Sequence, residues 1–218
     1  MNFDRIYEYR FQDIDNDKKR ITWEEIAGFI YERLSKPVSI LDPAAGKCEL
    51  INSIKSEDRW AVDLNEYFIK KYADPKVKIV IGDVLKVELP ENHFDAVFIS
   101  NFLEHLNSQE QVAELLEKMY RCIKPGGKIA IIGPNFKYTY RQYFDFADHT
   151  VILSELGLAE HVYGAGFAIE RIYPRFLPLS FRGGIPVSRA LVRMYLSLPF
   201  AWRFLGKQFL VIASKPPA

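Results

Sequence analysis

The sequence predicts a three-layer α/β/α sandwich around a mostly parallel sheet of seven strands. Short apolar runs alternate with helical patterns between residues 38 and 135, which is typical of right-handed βαβ units that share one parallel sheet. One of these runs, Phe94–Asn101, is apolar on both faces, as a central strand covered by two layers of helices should be. With 218 residues, 49% of them hydrophobic, the chain has enough apolar mass for a sizeable core. We therefore expect a single domain over residues 1–218.

Each predicted element has a local signal. The first helix is expected to begin at a capping box, Thr22–Glu25, and to end at Pro37. A second helix spans Ser108–Lys124, with an apolar stripe at helical spacing, and a third spans Ser154–Gly166. The predicted strands are Ser39–Asp42, Arg59–Asp63, Lys78–Asp83, Phe94–Asn101, Lys128–Gly133, Phe167–Tyr173 and Phe209–Ser214.

Composition divides the chain into three parts. Residues 1–37 form an N-terminal arm and helix, and the aromatic side chains of the arm either close over a ligand as a lid or anchor the N terminus. Residues 38–135 hold the alternating core. Residues 136–218 add a loop rich in aromatic residues, the last two strands and a basic, aromatic insertion. We interpret this last part as a decorated edge of the core and not as a separate domain.

The net charge of +1 conceals two oppositely charged parts. Eight of the 29 basic residues and none of the 28 acidic ones lie between Arg171 and the end of the chain. The first 170 residues therefore carry 21 basic against 28 acidic side chains. Charge asymmetry of this kind indicates an anionic partner or an intramolecular docking surface.

Several classes of protein are excluded. The composition is that of a folded globule, which excludes disorder, collagen and coiled coil. Cys48 and Cys122 are too few and too far apart for a zinc site or a disulfide framework, so we expect no metal. The N terminus lacks the apolar run of a secretory signal, and no run reaches the length of a spanning helix. We therefore expect a cytoplasmic location.

Polar side chains follow successive strands where each one ends. Asp42, Asp63, Asp83 and Asn101 all occupy such positions, and ligands of open parallel sheets bind outside these carboxyl ends. Asp63 lies 21 residues beyond Asp42, about the spacing at which an acidic residue accepts hydrogen bonds from a ribose diol. One such aspartate would be interpreted as a helix or turn cap. Three at successive strands favour a nucleoside site.

These residues belong to a series of motifs that resembles the class I S-adenosylmethionine-dependent methyltransferases, in particular their small-molecule branch. The resemblance covers roughly residues 38 to 135 and implies a Rossmann-like sheet whose last strand is antiparallel. It also implies S-adenosylmethionine as the cofactor. The motifs that carry it are Ile40–Gly46, Val62–Leu64, Gly82–Val84, Phe94–Phe98 with Asn101–Leu106, and Ile123–Lys128.

The resemblance also assigns roles within the cofactor site. Asp42 and Gly46 line the methionine part, Asp63 binds the ribose hydroxyls and Asp83 binds the adenine, whereas Asn101 and His105 flank the methyl-transfer site. The neighbours Ala44, Leu64 and Val84 complete the expected lining. One departure concerns the first motif, where the family usually has three glycines and this chain has Ala44, Gly46 and Cys48. We expect Cys48 to narrow the turn.

A general base is needed only when the acceptor holds its proton, as a hydroxyl does. Among the four histidines, His149 is the favoured base, with Asp148 beside it to orient the ring. The alternative is that His149 merely caps the segment that follows. His105 is a second candidate, and His93 and His161 are interpreted as structural.

The basic, aromatic segment 175–207 leaves three interpretations open. It lies on a membrane surface, forms a homodimer interface, or packs against the acidic part of the chain. Nucleic acid is not expected, because the basic residues are spaced among apolar ones. The predicted function is methyl transfer to a small or carrier-linked acceptor, such as a sugar or lipid-pathway intermediate. The alternative is a non-catalytic sensor or scaffold that binds S-adenosylmethionine.

Overall fold

The structure is a computed structural model that describes residues 5, 6, 9, 16–179 and 188–217. Most of the N-terminal arm lies outside the described residues, so its predicted role as a lid or an anchor stays a prediction. Residues 180–187 of the basic segment also lie outside them.

A single seven-stranded sheet forms the centre of the fold. The strands are β1 (Ser39–Asp42), β2 (Asp58–Asp63), β3 (Lys78–Ile81), β4 (Phe94–Ser100), β5 (Ile123–Pro134), β6 (Ala168–Leu177) and β7 (Gln208–Ser214). Their order in the sheet is β3-β2-β1-β4-β5-β7-β6, and β7 runs antiparallel to both of its neighbours whereas the other pairs are parallel. This confirms the predicted sandwich with an antiparallel last strand.

Helices cover both faces of the sheet. The connections from β1 to β2, from β2 to β3 and from β4 to β5 each carry a helix, as is usual for crossovers between parallel strands. The helices are α1 (Asn16–Arg33), α2 (Glu49–Ser53), α3 (Glu66–Tyr72), α4 (Gln109–Cys122), α5 (Phe136–Thr139), α6 (Glu155–Gly164), α7 (Arg189–Ser197) and α8 (Pro199–Leu205), with 3₁₀ turns at Leu103–His105 and Tyr143–Asp145.

The first helix differs from its prediction at both ends. It begins at Asn16, and Thr22 lies inside it, where its hydroxyl donates to the carbonyl of Lys18 at 2.8 Å. The capping box was therefore a wrong start signal. The helix ends at Arg33, before Pro37, because Ser35 and Lys36 adopt left-handed backbone angles with φ of 64° and 58°. That geometry reverses the chain toward β1.

Two apolar clusters lie on opposite faces of the sheet. Phe98 of β4 packs in one cluster with Ile26 and Ile30 of α1. Val97 of the same strand belongs to the other cluster, which includes Leu115 of α4. Because alternate side chains of a strand point to opposite faces, β4 contributes to both layers. Each fully buried side chain of this size contributes roughly 1.5–3 kcal/mol.

The basic segment docks on the core. Trp202 of α8 is 4% exposed, and its ring centroid lies 5.0 Å from that of Phe176 and 5.8 Å from that of Phe29. Arg189 and Arg193 of α7 form salt bridges with acidic residues of α1, including an Arg193 Nε to Glu25 Oε2 contact of 2.6 Å. Part of the charge asymmetry is therefore neutralised within the molecule. No helix among the described residues has the length and apolar character needed to cross a bilayer.

Candidate functional site

A cleft of about 1950 Å³ opens at the carboxyl ends of the parallel strands. It lies at the position where strand order reverses between β1 and β4, which is where ligands bind in open α/β sheets. The structure brings every site residue predicted from the sequence to the wall of this cleft. They are Asp42, Ala44, Gly46, Asp63, Leu64, Asp83, Val84, Asn101, His105, Asp148 and His149.

Asp42 at the end of β1 is a buried carboxyl group. Its side chain is 5% exposed, and its Oδ1 accepts a hydrogen bond of 3.3 Å from the amide of Ala44. Burial raises the pKa of Asp42 to about 8, and the charges of Asp63 and Glu49 act in the same direction. Holding a carboxylate here costs folding free energy, so the position suits a cationic ligand group.

The turn after β1 depends on two left-handed residues, Gly46 with φ of 53° and Cys48 with φ of 59°. A Cβ atom added to Gly46 would meet no atom within 4 Å, so this backbone faces open space in the cleft. Cys48 tolerates the strained angle at a cost of about 1–2 kcal/mol.

The expectation that Cys48 narrows the turn is wrong. Its side chain is fully buried in the core cluster on the α1 face of the sheet, and Cys48 does not contribute to the described cleft wall. Burial raises the pKa of Cys48 to about 12, so the thiol is protonated at neutral pH and packs as a small apolar side chain.

Asp63 at the end of β2 fixes the opposite side of this turn. Its Oδ2 accepts from the amide of Gly46 at 2.6 Å, and its Oδ1 accepts from the amide of Asn65 at 2.7 Å. Burial raises the pKa of Asp63, while these two amides oppose the shift. The next residue, Leu64, exposes its apolar side chain at the rim of the cleft.

Asp83 follows β3 by two residues, and one of its carboxylate oxygens accepts from the amide of Leu85 at 3.0 Å. The other lies 3.3 Å from Nζ of Lys86. Val84 is buried beside it. This part of the cleft therefore joins an apolar wall to a hydrogen-bonding carboxylate, which suits a heteroaromatic ring with a polar edge.

The far end of the cleft holds a polar cluster, which we define as Glu104, His105, Asp148 and His149. Nδ1 of His105 lies 3.0 Å from the carbonyl oxygen of Asp148 and 3.4 Å from its Oδ2. Nε2 of His105 lies 3.9 Å from Oε1 of Glu104. Ring contacts enclose His149, with centroids 4.8 Å from Tyr143 and Phe146 and 5.0 Å from His105.

The structure refines the predicted pairing of Asp148 with His149. Both line the cleft, but the carboxylate of Asp148 contacts the ring of His105. Asn101, which precedes this cluster, adopts a left-handed φ of 48°. Glu104 was not predicted as a site residue, although it lies inside the Asn101–Leu106 motif.

Other parts of the cleft wall come from regions that carry no motif. Lys19 and Trp23 reach it from α1, and Lys207 and Gln208 reach it from the start of β7. For the residues of β7, the expected antiparallel direction of the strand was a usable signal of their place in the cleft. An antiparallel strand places its first residues at the edge where its parallel neighbours end, and Gln208 pairs with Pro134.

The remaining histidines lie away from the cleft wall. Nε2 of His93 lies 2.9 Å from Asp58, and Nε2 of His161 lies 2.8 Å from Gln109. Both have local polar partners, in agreement with a structural role.

Comparison with known proteins adds family information to this geometry. Residues 41–131 match the model of a methyltransferase domain family. Over these residues the chain is similar to that family. The match confirms the resemblance to class I S-adenosylmethionine-dependent methyltransferases, and it begins at β1 and ends within β5, where the cofactor motifs lie.

A demethylmenaquinone methyltransferase of Listeria welshimeri is 29% identical over 132 residues, which cover 52% of this chain and 55% of that protein. The chain thus spans about half the length of the curated relatives it matches.

Solved structures share this fold over most of the chain. A SAM-dependent methyltransferase from Archaeoglobus fulgidus has a TM-score of 0.68 and 23% identity, covering 98% of this chain and 100% of that one. A geranyl diphosphate C-methyltransferase from Streptomyces coelicolor, solved with Mg²⁺, geranyl diphosphate and S-adenosyl-L-homocysteine, has a TM-score of 0.62 and 15% identity. It covers 87% of this chain and 78% of that one.

Proposed function

We propose that the protein transfers a methyl group from S-adenosylmethionine to a small-molecule acceptor. The observation that carries the proposal is the convergence of polar residues from the ends of four strands on one cleft. The family resemblance of the sequence motifs implies a place at the cofactor for the same residues. The methyltransferase domain match over residues 41–131 supports the same activity.

The residues of the cleft fit the chemistry of this cofactor. The buried carboxyl of Asp42 suits the ammonium group of the methionine part, and the open backbone at Gly46 gives the ligand access to the turn. Asp63 accepts hydrogen bonds from the ribose hydroxyls, and Asp83 accepts from the adenine amine. Leu64 and Val84 supply apolar contacts for the nucleoside, with Ala44 beside the turn. Asn101 and His105 lie toward the acceptor.

Bound S-adenosylmethionine supplies an electrophilic methyl group. The protein contributes by positioning the acceptor and by excluding water, since an in-line displacement depends on alignment of the reacting atoms. An acceptor hydroxyl must also lose its proton, and the polar cluster holds the side chains of the cleft that can promote this loss. The assignment of His149 as the general base, with Asp148 as its positioning residue, stays a prediction.

We infer that the acceptor is small or carrier-linked and belongs to a lipid or sugar pathway. The names of two similar proteins include demethylmenaquinone and geranyl diphosphate, which supports the lipid alternative. We propose a cytoplasmic location for the reaction, which fractionation of the cells that make the protein would test.

We propose further that α8 contacts an anionic membrane surface. Phe200 and Phe204 are 75% and 62% exposed, and the neighbouring Leu205 lies in the cleft wall. The segment carries basic and no acidic side chains, as interfacial helices do. A Phe200→Ser, Phe204→Ser variant should lose co-sedimentation with vesicles rich in phosphatidylglycerol. If the wild type binds no vesicle, and light scattering gives a dimer that this variant disrupts, the surface is a homodimer interface.

The test of the proposed function is transfer of tritiated methyl groups to sugar nucleotides, lipid intermediates and small phenols. We expect turnover on one of these classes and its loss in Asp63→Ala. Asp95→Asn is the matched control, because Asp95 lies at the start of β4, at the opposite edge of the sheet. Cofactor binding without transfer to any class would favour the sensor or scaffold alternative.

A further inference from the structure

Three side chains that bind metals in other proteins meet at the acceptor end of the cleft. Glu104, His105 and His149 each offer one ligand atom, and these atoms lie within 4.8 Å of one another. A metal site was not expected from the sequence, because the two cysteines are the only residues from which such a site was judged. The two histidines stand 44 positions apart, so no short motif joins them.

We propose that Glu104, His105 and His149 bind a divalent transition-metal ion that holds the acceptor. Two imidazoles and one carboxylate are the donor set of many zinc and non-haem iron sites. Hard cations such as Mg²⁺ prefer oxygen ligands, whereas imidazole suits the later first-row metals, so zinc, cobalt and ferrous iron are the fitting class. This inference rests on the proposed function for its role in catalysis, but not for the binding of the ion.

The distances permit binding after small side-chain rotations. Ligand bonds of about 2.0–2.1 Å in a tetrahedral zinc site place donor atoms about 3.4 Å apart. The longest separation here is at most 4.8 Å, and Nε2 of His105 already lies 3.9 Å from Oε1 of Glu104. The ligand atoms therefore need to move by about 1.4 Å at most.

The backbone around the cluster fixes the two ligand-bearing segments against each other. The amides of Thr150 and Val151 donate to the carbonyl of Glu104 at 2.8 and 3.1 Å. These bonds hold the loop of His149 beside the 3₁₀ turn of Glu104 and His105. Such a frame keeps the three donors near one point without an ion, as a preorganised site requires.

Metal-binding histidines usually donate their second ring N–H to a hydrogen-bond acceptor. Asp148 provides that acceptor for His105. Its carbonyl oxygen lies 3.0 Å from Nδ1 of His105, and its carboxylate lies 3.4 Å from the same atom. A proton on Nδ1 leaves the lone pair of Nε2 available for the ion. Asp148 is thus a positioning residue for His105. This role accounts for the contact between the carboxylate of Asp148 and the ring of His105. The predicted dyad of Asp148 with His149 does not account for that contact.

Charge also favours a cation at this point. Glu104 is 3% exposed, and a buried carboxylate is stabilised by a positive partner. Three protein ligands leave further coordination positions, which is the arrangement of catalytic and not of structural sites. All three residues line the cleft, so the remaining positions are accessible to an acceptor oxygen.

In this role the ion replaces a general base. An acceptor hydroxyl bound to the ion loses its proton to solvent water, because a divalent metal lowers the pKa of a bound hydroxyl. The oxygen then forms its bond to the methyl carbon as the sulfur–carbon bond breaks, which yields the methyl ether and S-adenosylhomocysteine. His149 acts as a ligand in this scheme and does not accept the proton.

The test is direct titration of the full, chelator-treated chain with Zn²⁺ and with Co²⁺, followed by calorimetry and by the visible spectrum of Co²⁺. We expect one equivalent to bind. Affinity should fall by roughly 100-fold or more in His149→Ala and in Glu104→Gln, since each removes one of three ligands. His161→Ala is the matched control and should bind like the wild type, because His161 pairs with Gln109 outside the cleft wall.

Parallel titration with S-adenosylhomocysteine separates this inference from the proposed function and reports folding of each variant. If that nucleoside binds and neither ion binds at about 1 mM, the metal site is refuted. Unchanged ion affinity in His149→Ala and Glu104→Gln also refutes it. If the ions bind as expected and the nucleoside does not, the metal site stands and the proposed function fails. The His149→Ala variant keeps the test valid if Glu104→Gln fails to fold.

Discussion

Replacing Asp42 with asparagine should stabilise the fold at neutral pH and weaken cofactor binding. The asparagine side chain keeps an oxygen that accepts from the amide of Ala44, so the hydrogen bond of 3.3 Å is retained. What disappears is the buried ionisable group, whose pKa in the folded state is about 8. The reference pKa of an unfolded aspartate is about 3.9.

The sign of the pH dependence follows from these two values. The folded state holds its proton more tightly than the unfolded state. The contribution of Asp42 to stability is therefore fully present below about pH 4 and is lost as the pH rises toward 8. Between pH 5 and pH 8 the loss is on the order of a few kcal/mol. The stability of Asp42→Asn relative to wild type should rise by that order over the same range.

Urea unfolding, followed by tryptophan fluorescence at several pH values between 5 and 8, measures this difference. Asp95→Asn is the control with the opposite sign. Partial burial alone would raise the pKa of Asp95, but hydrogen bonds from Lys124 and Ser39 outweigh it and hold the pKa low. Its stability contribution is lost only as the pH falls toward acid, so its effect should be constant from pH 5 to pH 8.

Parallel slopes for Asp42→Asn and wild type would refute the reasoning, because they would mean that Asp42 is ionised at little cost in the folded state. A stabilising substitution that also weakens S-adenosylhomocysteine binding would indicate that the buried carboxyl is retained for binding and not for folding.

Two further substitutions test other parts of the account. Gly46→Ala places a side chain at a φ of 53° that opens on the cleft. It should lower the free energy of unfolding in urea by about 1–2 kcal/mol and weaken the binding of S-adenosylhomocysteine, measured by calorimetry, by roughly tenfold or more. Unchanged affinity would show that the ligand does not approach this turn. Trp202→Ala should cost about 3–5 kcal/mol, because its ring is buried against Phe29 and Phe176; a loss below about 1 kcal/mol would mean that α8 is not docked on the core.

The sequence predicted the sheet well because its signals are local. Strands β1 and β4 match their predicted bounds to within one residue, since a continuous apolar run ends where a polar residue begins. The site at the strand ends was predictable for a second reason. Parallel strands bring their carboxyl ends to one edge. The convergence of Asp42, Asp63 and Asn101 could therefore be predicted from the strand directions, without knowledge of any tertiary contact.

The polar cluster was beyond local signals. His149 reaches His105 because the loop after β5 folds back on the turn after β4, and backbone hydrogen bonds from Thr150 and Val151 to Glu104 fix that return. Nothing in the spacing of these residues encodes the pairing. The salt bridges between α7 and α1 are a similar case, since Arg193 and Glu25 are 168 positions apart. Their opposite charges were visible, but their contact depends on how the tail docks.

The start of α1 was predicted wrongly for a different reason. Thr22 and Glu25 have capping-box spacing, yet the hydroxyl of Thr22 is satisfied by the carbonyl of Lys18 inside the helix. A threonine in mid-helix makes this bond readily, so the same residues fit two positions. Spacing alone does not distinguish them.

Calorimetric titration with S-adenosylhomocysteine tests the central claim most directly. We expect one binding site per chain, an affinity reduced by roughly tenfold or more in Asp63→Ala, and an unchanged affinity in Asp95→Asn. Absence of binding at about 1 mM ligand, or equal affinity in wild type and Asp63→Ala, would contradict the claim that this cleft holds the cofactor.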